Sequence, residues 1–124
     1  MKTLHLVLKH KWYDMIASGV KKEEYRKITP YWTKRILGVE KISISGLLRE
    51  EYEYDYTHVR FHRGYTNTTM IFKINYISVG IGKPEWGASE RITFIIKLGE
   101  RIASTLYKED INHKNKRLQQ IFFP

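Results

Sequence analysis

A lysine, a glutamate and an arginine lie within six residues of one another, at Lys21, Glu24 and Arg26. A carboxylate beside a lysine favours the charged ammonium, which binds anions well but is a poor base. In a strand, positions 21 and 24 would point to opposite faces, so both reach one cavity only if the backbone bends after Gly19. The spacing predicts a functional Lys21–Glu24 pair. The alternative is a salt-bridged cluster that braces the strand against a helix.

The residues before this motif have helical spacing. Trp12, Ile16 and Val20 follow one another at steps of four, which predicts one apolar stripe on a helix over residues 10–18. Gly19 then ends the helix, because glycine tolerates the left-handed backbone past a helix C-terminus.

The motif continues into a strand and then a second helix. Alternation over residues 23–28 predicts a strand with Glu24 and Arg26 on the same face. The Thr-Pro pair at 29–30 is typical of a helix start, with Thr as N-cap and Pro at the first helical position. The second helix is expected to run to about Gly38.

The remainder of the chain is predicted to be mainly β-structure. Alternation or apolar runs predict strands over residues 3–8, 41–45, 57–62, 70–79 and 91–98, with a loop over 80–87. His58 and His62 would lie about 13 Å apart on one strand, too far to share a metal ion, so both are predicted to be surface residues. The acidic, tyrosine-rich stretch within 40–55 predicts a solvated loop or hairpin, and an acidic flap over the basic cavity is the alternative.

The composition indicates a single basic domain. Lysine and arginine number 22 against 13 aspartate and glutamate, giving a formal charge of +9. Such a charge is typical of proteins that bind polyanions, although solubility alone is another explanation. Aromatic residues beside basic ones, as at Tyr25-Arg26, favour nucleic acid, because bases stack on such rings.

Several classes of site and segment are not expected. Cysteine is absent and the five histidines have no zinc-site spacing, so neither a metal nor a cofactor is predicted. No apolar run is long enough to cross a bilayer, and the N-terminus lacks the features of a signal peptide. A cytoplasmic protein without a membrane partner is therefore predicted.

The pattern Gly19-x-Lys21-x-x-Glu24-x-Arg26 resembles the motif of the ASCH domain, a branch of the PUA-like superfamily. The stretches at 59–65, 80–87 and 94–99 extend the resemblance. Their order and spacing are similar to those of small prokaryotic or phage ASCH proteins. The resemblance implies an α+β fold: a PUA-like, partly open mixed β-barrel of about five or six strands, with two flanking helices and a basic cavity at its mouth.

The same resemblance sets the domain boundaries. It covers about residues 3–101, so one domain is predicted over 1–101, with an insertion at 40–55. Residues 102–124 would then form a polar, basic tail, or alternatively an arm that grips a phosphate backbone. Residues 108–124 are expected to be dispensable for folding.

The resemblance also implies roles for individual residues. Lys21 matches a lysine implied to be catalytic in ASCH amidohydrolases, and Arg26 matches an arginine that would bind phosphate or a carbonyl oxygen. Glu24 departs from those hydrolases, which have threonine there. Glu85, in the loop before the last strand, is the candidate for their later acidic residue. If the protein is an enzyme, its catalytic residues are therefore expected to be Lys21, Glu24 and Glu85.

The leading functional prediction is an ASCH-domain protein that binds RNA or a nucleotide in the basic cavity. The expected nucleic-acid-binding residues are Lys21, Lys22, Arg26, Trp32, Arg60, Arg63, Tyr65 and Trp86. One alternative is a small amidohydrolase acting on an N-acylated nucleoside such as N4-acetylcytidine, or a ribonuclease. Another is a protein-interaction adaptor that uses the insertion and the tail. Because Glu24 would keep Lys21 charged, binding is favoured over hydrolysis.

Overall fold

A computed structural model describes residues 1–103. The tail predicted over 102–124 lies outside this range except for its first two residues, as does the expectation that 108–124 are dispensable. The elements in chain order are β1 (Thr3–Leu8), α1 (His10–Ala17), β2 (Glu23–Lys27), α2 (Pro30–Leu37), α3 (Ile44–Leu48), β3 (His58–Arg63), β4 (Thr69–Gly80), a 3-10 turn (Pro84–Trp86) and β5 (Thr93–Ile102).

The five strands form one mixed sheet in the order β1-β3-β4-β5-β2. β1 pairs with β3 in parallel, and every other pairing is antiparallel. β1 and β2 are therefore the edge strands, and the sheet curves so that they face each other across an open seam. The predicted α+β, partly open barrel is confirmed, with three α-helices in the described range where the sequence predicted two.

The core fills the inner face of this sheet. Leu4, Leu6 and Leu8 alternate along β1, and each is at most 3% exposed, because successive strand residues point to opposite faces. Phe61 from β3 and Phe94 from β5 are completely buried against them. The predicted burial of residues 94–96 is confirmed.

The long strands β4 and β5 supply the curvature. Their pairing shifts register on both sides of Ile74, and such irregularities bend a strand and increase its twist. Gly99 lies at this bend, where a Cβ atom would come within 2.5 Å of the Asn75 side-chain oxygen. A larger residue there would have to displace the Asn75 side chain.

The two predicted flanking helices are present, with one correction. In α2 the Thr29 hydroxyl accepts a hydrogen bond from the Trp32 amide at 3.2 Å, which confirms the predicted cap. In α1 the buried residues are Tyr13 and Ile16, whereas Val20 is 59% exposed. The predicted stripe is wrong at Val20 because the helix ends at Ala17.

The segment between α2 and β3 differs most from the prediction. The strand expected over 41–45 is absent, and Ser43 instead caps α3, whose Leu47 is buried. Residues 49–57 have no regular structure, yet Tyr52, Tyr54 and Tyr56 are half-buried against the core while the acidic residues between them are exposed. The segment is therefore neither a hairpin nor a fully solvated loop, because its tyrosines pack against the core of the barrel.

His62 is another correction. It was predicted to be a surface residue, but it is only 1% exposed, and its Nε2 atom lies 3.3 Å from Nδ1 of His5. Alternation correctly predicts that His62 and Phe61 point to opposite faces of β3. It does not predict that the face with His62 is also covered, because burial depends on distant parts of the chain.

No helix within residues 1–103 is both long enough and apolar enough to span a membrane.

Candidate functional site

A cleft of about 450 Å³ opens at the seam between the two edge strands, and it is called the seam cleft below. The end of β1 and most of β2 form two of its walls, and the helices and the loop after the 3-10 turn contribute the rest. All three tryptophans of the chain line it. Its lining includes Lys9, Trp12, Glu24, Arg26, Lys27, Trp32, Trp86 and Ser89.

A sharp bend after α1 directs Lys21 into the protein. Gly19 has a φ of 84°, and the amides of Val20 and Lys21 both donate to the Met15 carbonyl, at 3.1 and 3.0 Å. This is the bend that the motif predicted. It turns the Lys21 side chain behind the wall of the cleft, where its exposure falls to 0%.

The buried ammonium of Lys21 connects three elements. Its Nζ atom lies 3.1 Å from Oε1 of Glu24 on β2, and donates to the Trp86 carbonyl at 2.5 Å. It also lies 5.3 Å from the centre of the Trp12 ring on α1. Burial lowers the pKa of Lys21, while the nearby Glu24 carboxylate opposes that shift.

Arg26 holds the other side of Glu24 and crosses the seam. Its Nη1 atom contacts Oε2 of Glu24 and donates to the Tyr25 carbonyl at 2.7 Å. Its Nη2 atom donates to the Val7 carbonyl on β1 at 3.2 Å. The guanidinium lies 5.0 Å from the centre of the Trp32 ring. Glu24 is thus ion-paired on both oxygens.

A second arginine crosses the seam from α2. Arg35 donates to the His5 carbonyl at 2.5 Å, and its guanidinium lies 5.3 Å from the Trp32 ring centre. The Val7 and His5 carbonyls of edge strand β1 therefore accept hydrogen bonds from guanidinium groups. In a closed barrel a neighbouring strand would donate these bonds. The Trp32 ring is fixed by both arginines.

The loop between β4 and β5 carries Trp86 to the cleft. The Tyr25 hydroxyl accepts a hydrogen bond from the Lys83 amide at 3.0 Å, which ties the start of the loop to β2. Burial raises the pKa of Tyr25, so the phenol keeps its proton. Gly87 has a φ of 98°, and a Cβ atom there would lie 3.0 Å from the Trp12 ring. The loop is therefore packed closely against both α1 and β2.

The structure brings together only part of the predicted site. Lys21, Glu24 and Arg26 meet, but Lys21 lies behind the cleft and does not line it. Trp32 and Trp86 line the cleft. Lys22 and Glu85 are exposed and lie outside the lining.

The predicted residues of β3 and its turn also lie outside the cleft. Arg63 forms a two-atom ion pair with Asp14, at 2.9 and 3.0 Å. Arg60 donates to the Thr69 hydroxyl at 3.1 Å, and Tyr65 is 75% exposed in the turn.

Four of these lining residues were not among the predicted site residues: Lys9, Trp12, Lys27 and Ser89. Trp12 was assigned to the core stripe of α1, yet it is half-buried beside Lys21. Lys27 directly follows the motif, which is a signal that could have found it. Lys9 joins the site only because β1 faces β2 across the seam, and local sequence carries no signal for that pairing.

Within residues 1–103, no group of three or more histidine, aspartate or glutamate side chains is placed to hold a metal ion. The sequence matches no protein-family model, and no match was found among curated proteins or solved structures.

Proposed function

We propose that the protein binds a nucleotide, free or within single-stranded RNA, in the seam cleft. The observation that carries this proposal is the lining itself: three tryptophans and three basic side chains surround a cleft of about 450 Å³. That volume is in the usual range for small-molecule sites. Tryptophan faces stack on nucleobases, and lysines at a rim attract phosphate.

The basic residues divide into a fixed group and a mobile group. The guanidinium of Arg26 is already bonded to Glu24 and to two carbonyls, so it acts as part of the floor and orients Trp32. Lys9 and Lys27 are exposed at the rim, where flexible ammonium groups can follow a phosphate. In this arrangement the base enters among the tryptophans and the phosphate stays near the lysines.

A second candidate function is hydrolysis of an N-acylated nucleoside such as N4-acetylcytidine. The observation in its favour is that burial lowers the pKa of Lys21, as a general base would require. Against it, the Lys21 ammonium is enclosed and already donates to the Trp86 carbonyl and to Glu24. A substrate would have to displace that carbonyl to reach it, so binding is ranked first.

Titration of labelled single-stranded RNA at several salt concentrations tests the binding proposal. We expect the logarithm of the affinity to fall linearly with the logarithm of the salt concentration, because phosphate contacts release counterions. Lys27→Gln should reduce that slope by about one, as expected for one lost phosphate contact. Lys73→Gln, which removes an exposed lysine of β4 outside the cleft, is the matched control.

Stacking is tested by Trp86→Leu, with Tyr65→Leu as the control for an aromatic residue outside the cleft. A lost base–aromatic stack should cost about 1–3 kcal/mol of binding free energy. Absence of binding at low salt would reject the proposal. Rapid release of acetate from N4-acetylcytidine by the natural protein would instead establish the hydrolase.

A further inference from the structure

A second cavity adjoins the seam cleft. It has a volume of about 640 Å³ and lies between the end of β2, the start of α3 and the residues just before β5. Lys27, Ser89 and Thr93 line both cavities. The two spaces are therefore neighbours that share these three residues.

The chemistry of the second cavity differs from that of the first. Its apolar surface comes from Ile28, Ile44 and Ile92, and Ile44 is 55% exposed. Lys27 and Arg91 provide two positive charges against the single carboxylate of Glu90. The exposed Ile44 side chain can pack against a flat, weakly polar group such as a base. The net positive charge can pair with an anion attached to that group.

We propose that this cavity holds the second nucleotide of a single-stranded nucleic acid whose first nucleotide occupies the seam cleft. This inference rests on the proposed function, which it extends from one nucleotide to at least two. The linking phosphate lies at Lys27, the cation common to both cavities. Arg91 then faces the phosphate on the far side of the second nucleotide.

The shared wall is ordered by its own hydrogen bonds. The Thr93 hydroxyl donates to the Arg26 carbonyl at 2.6 Å, which ties the start of β5 to the floor of the first cavity. The Ser89 hydroxyl accepts from the Arg91 amide at 3.3 Å, which fixes the backbone that carries Arg91. These two bonds order the backbone between the two cavities.

The test compares a nucleoside 5′-monophosphate with the 5′-phosphorylated dinucleotide of the same base, for each of the four RNA bases. We expect the dinucleotide to bind at least about fivefold more tightly for the preferred base, because a second base is desolvated and a second phosphate is paired. Ile44→Ala and Arg91→Gln should each remove most of that advantage while leaving monophosphate affinity unchanged.

Two matched controls lie outside the cavity. Leu48→Ala removes an equally exposed apolar residue of α3, 56% exposed against 55% for Ile44. Arg49→Gln removes a positive charge from an exposed side chain next to the same helix. Neither control should change the ratio of the two affinities.

Failure of the second subsite can be distinguished from failure of the proposed function. The second subsite is wrong, and the proposed function stands, if the monophosphate and the dinucleotide bind with equal affinity. The same conclusion follows if Ile44→Ala and Leu48→Ala lower the affinity for both ligands to the same extent. If neither ligand nor a longer single strand binds at low salt, the proposed function fails and the second subsite fails with it.

Discussion

At the scale of single residues, Lys21 is the side chain whose role changes most once its surroundings are known. The sequence presents it as a charge available to a ligand. In the fold its ammonium is enclosed and bonded to Glu24 and the Trp86 carbonyl. This geometry is that of the bracing alternative, because the ammonium joins Glu24 on β2 to the Trp12 ring of α1.

We therefore expect Lys21→Ala to lower the free energy of unfolding by about 3–5 kcal/mol, because removal of one partner leaves a buried carboxylate with less compensation. Denaturant unfolding of the variant and the natural protein measures the change. Lys22→Ala is the control: the adjacent lysine is exposed, and its loss should change stability by no more than about 0.5 kcal/mol. Equal stability of the natural protein and Lys21→Ala would instead favour direct contact of Lys21 with a ligand.

At the scale of elements, the loop between β4 and β5 forms one wall of both cavities. Three contacts hold it: Lys83 to Tyr25, the Trp86 carbonyl to Lys21, and Gly87 to Trp12. Each contact joins the loop to a different side chain of α1, β2 or the motif bend. The position of Trp86 is therefore set by packing at several points and not by the short 3-10 turn itself.

Gly87→Ala should destabilise the protein more than Gly38→Ala. Both glycines have left-handed backbones, at φ values of 98° and 74°, so each substitution should cost about 1–2 kcal/mol in backbone strain. A Cβ at Gly87 also meets the Trp12 ring at 3.0 Å, whereas nothing lies within 4 Å of one at Gly38. Thermal unfolding of both variants measures the excess.

The same pair of variants separates stability from binding. Only Gly87→Ala should weaken RNA affinity, since it alone displaces Trp12 or the Trp86 loop. Equal losses of stability in the two variants would show that the contact with Trp12 is unimportant.

At the scale of the whole molecule, the open seam is the feature that creates the site. A closed barrel would satisfy the edge carbonyls of β1 with another strand and leave no cleft. Here Arg26 and Arg35 donate to the carbonyls of Val7 and His5 instead. The seam stays open, but these two carbonyls are bonded, and the same two arginines lie against the Trp32 ring.

Arg26→Lys should lower the free energy of unfolding by about 2 kcal/mol, because a lysine cannot reproduce the planar set of bonds to Glu24, Tyr25 and Val7. Arg49→Lys is the matched control, since the Arg49 side chain is 69% exposed and its ion pair with Glu51 spans 3.6 Å. That change should have little effect. If the two variants unfold alike, the bridge across the seam does not stabilise the barrel.

Periodicity and end signals by themselves determined much of the local structure. They located β1, α1, α2 and the later strands, and the cap at Thr29 is the one predicted. Gly19 correctly indicated the bend that brings Lys21 to Glu24. These features depend on neighbours within a few residues, so the local sequence contains the information.

Only the tertiary structure decided which surfaces are covered and which edges meet. It buried Lys21 and His62, bonded Arg63 to Asp14 and brought Trp12 beside Trp86. It also placed β1 opposite β2, although the strands that join them in the sheet come much later in the chain. Alternation predicts the face of the strand on which a residue lies. It does not predict which element packs on that face, because that element comes from a distant part of the chain.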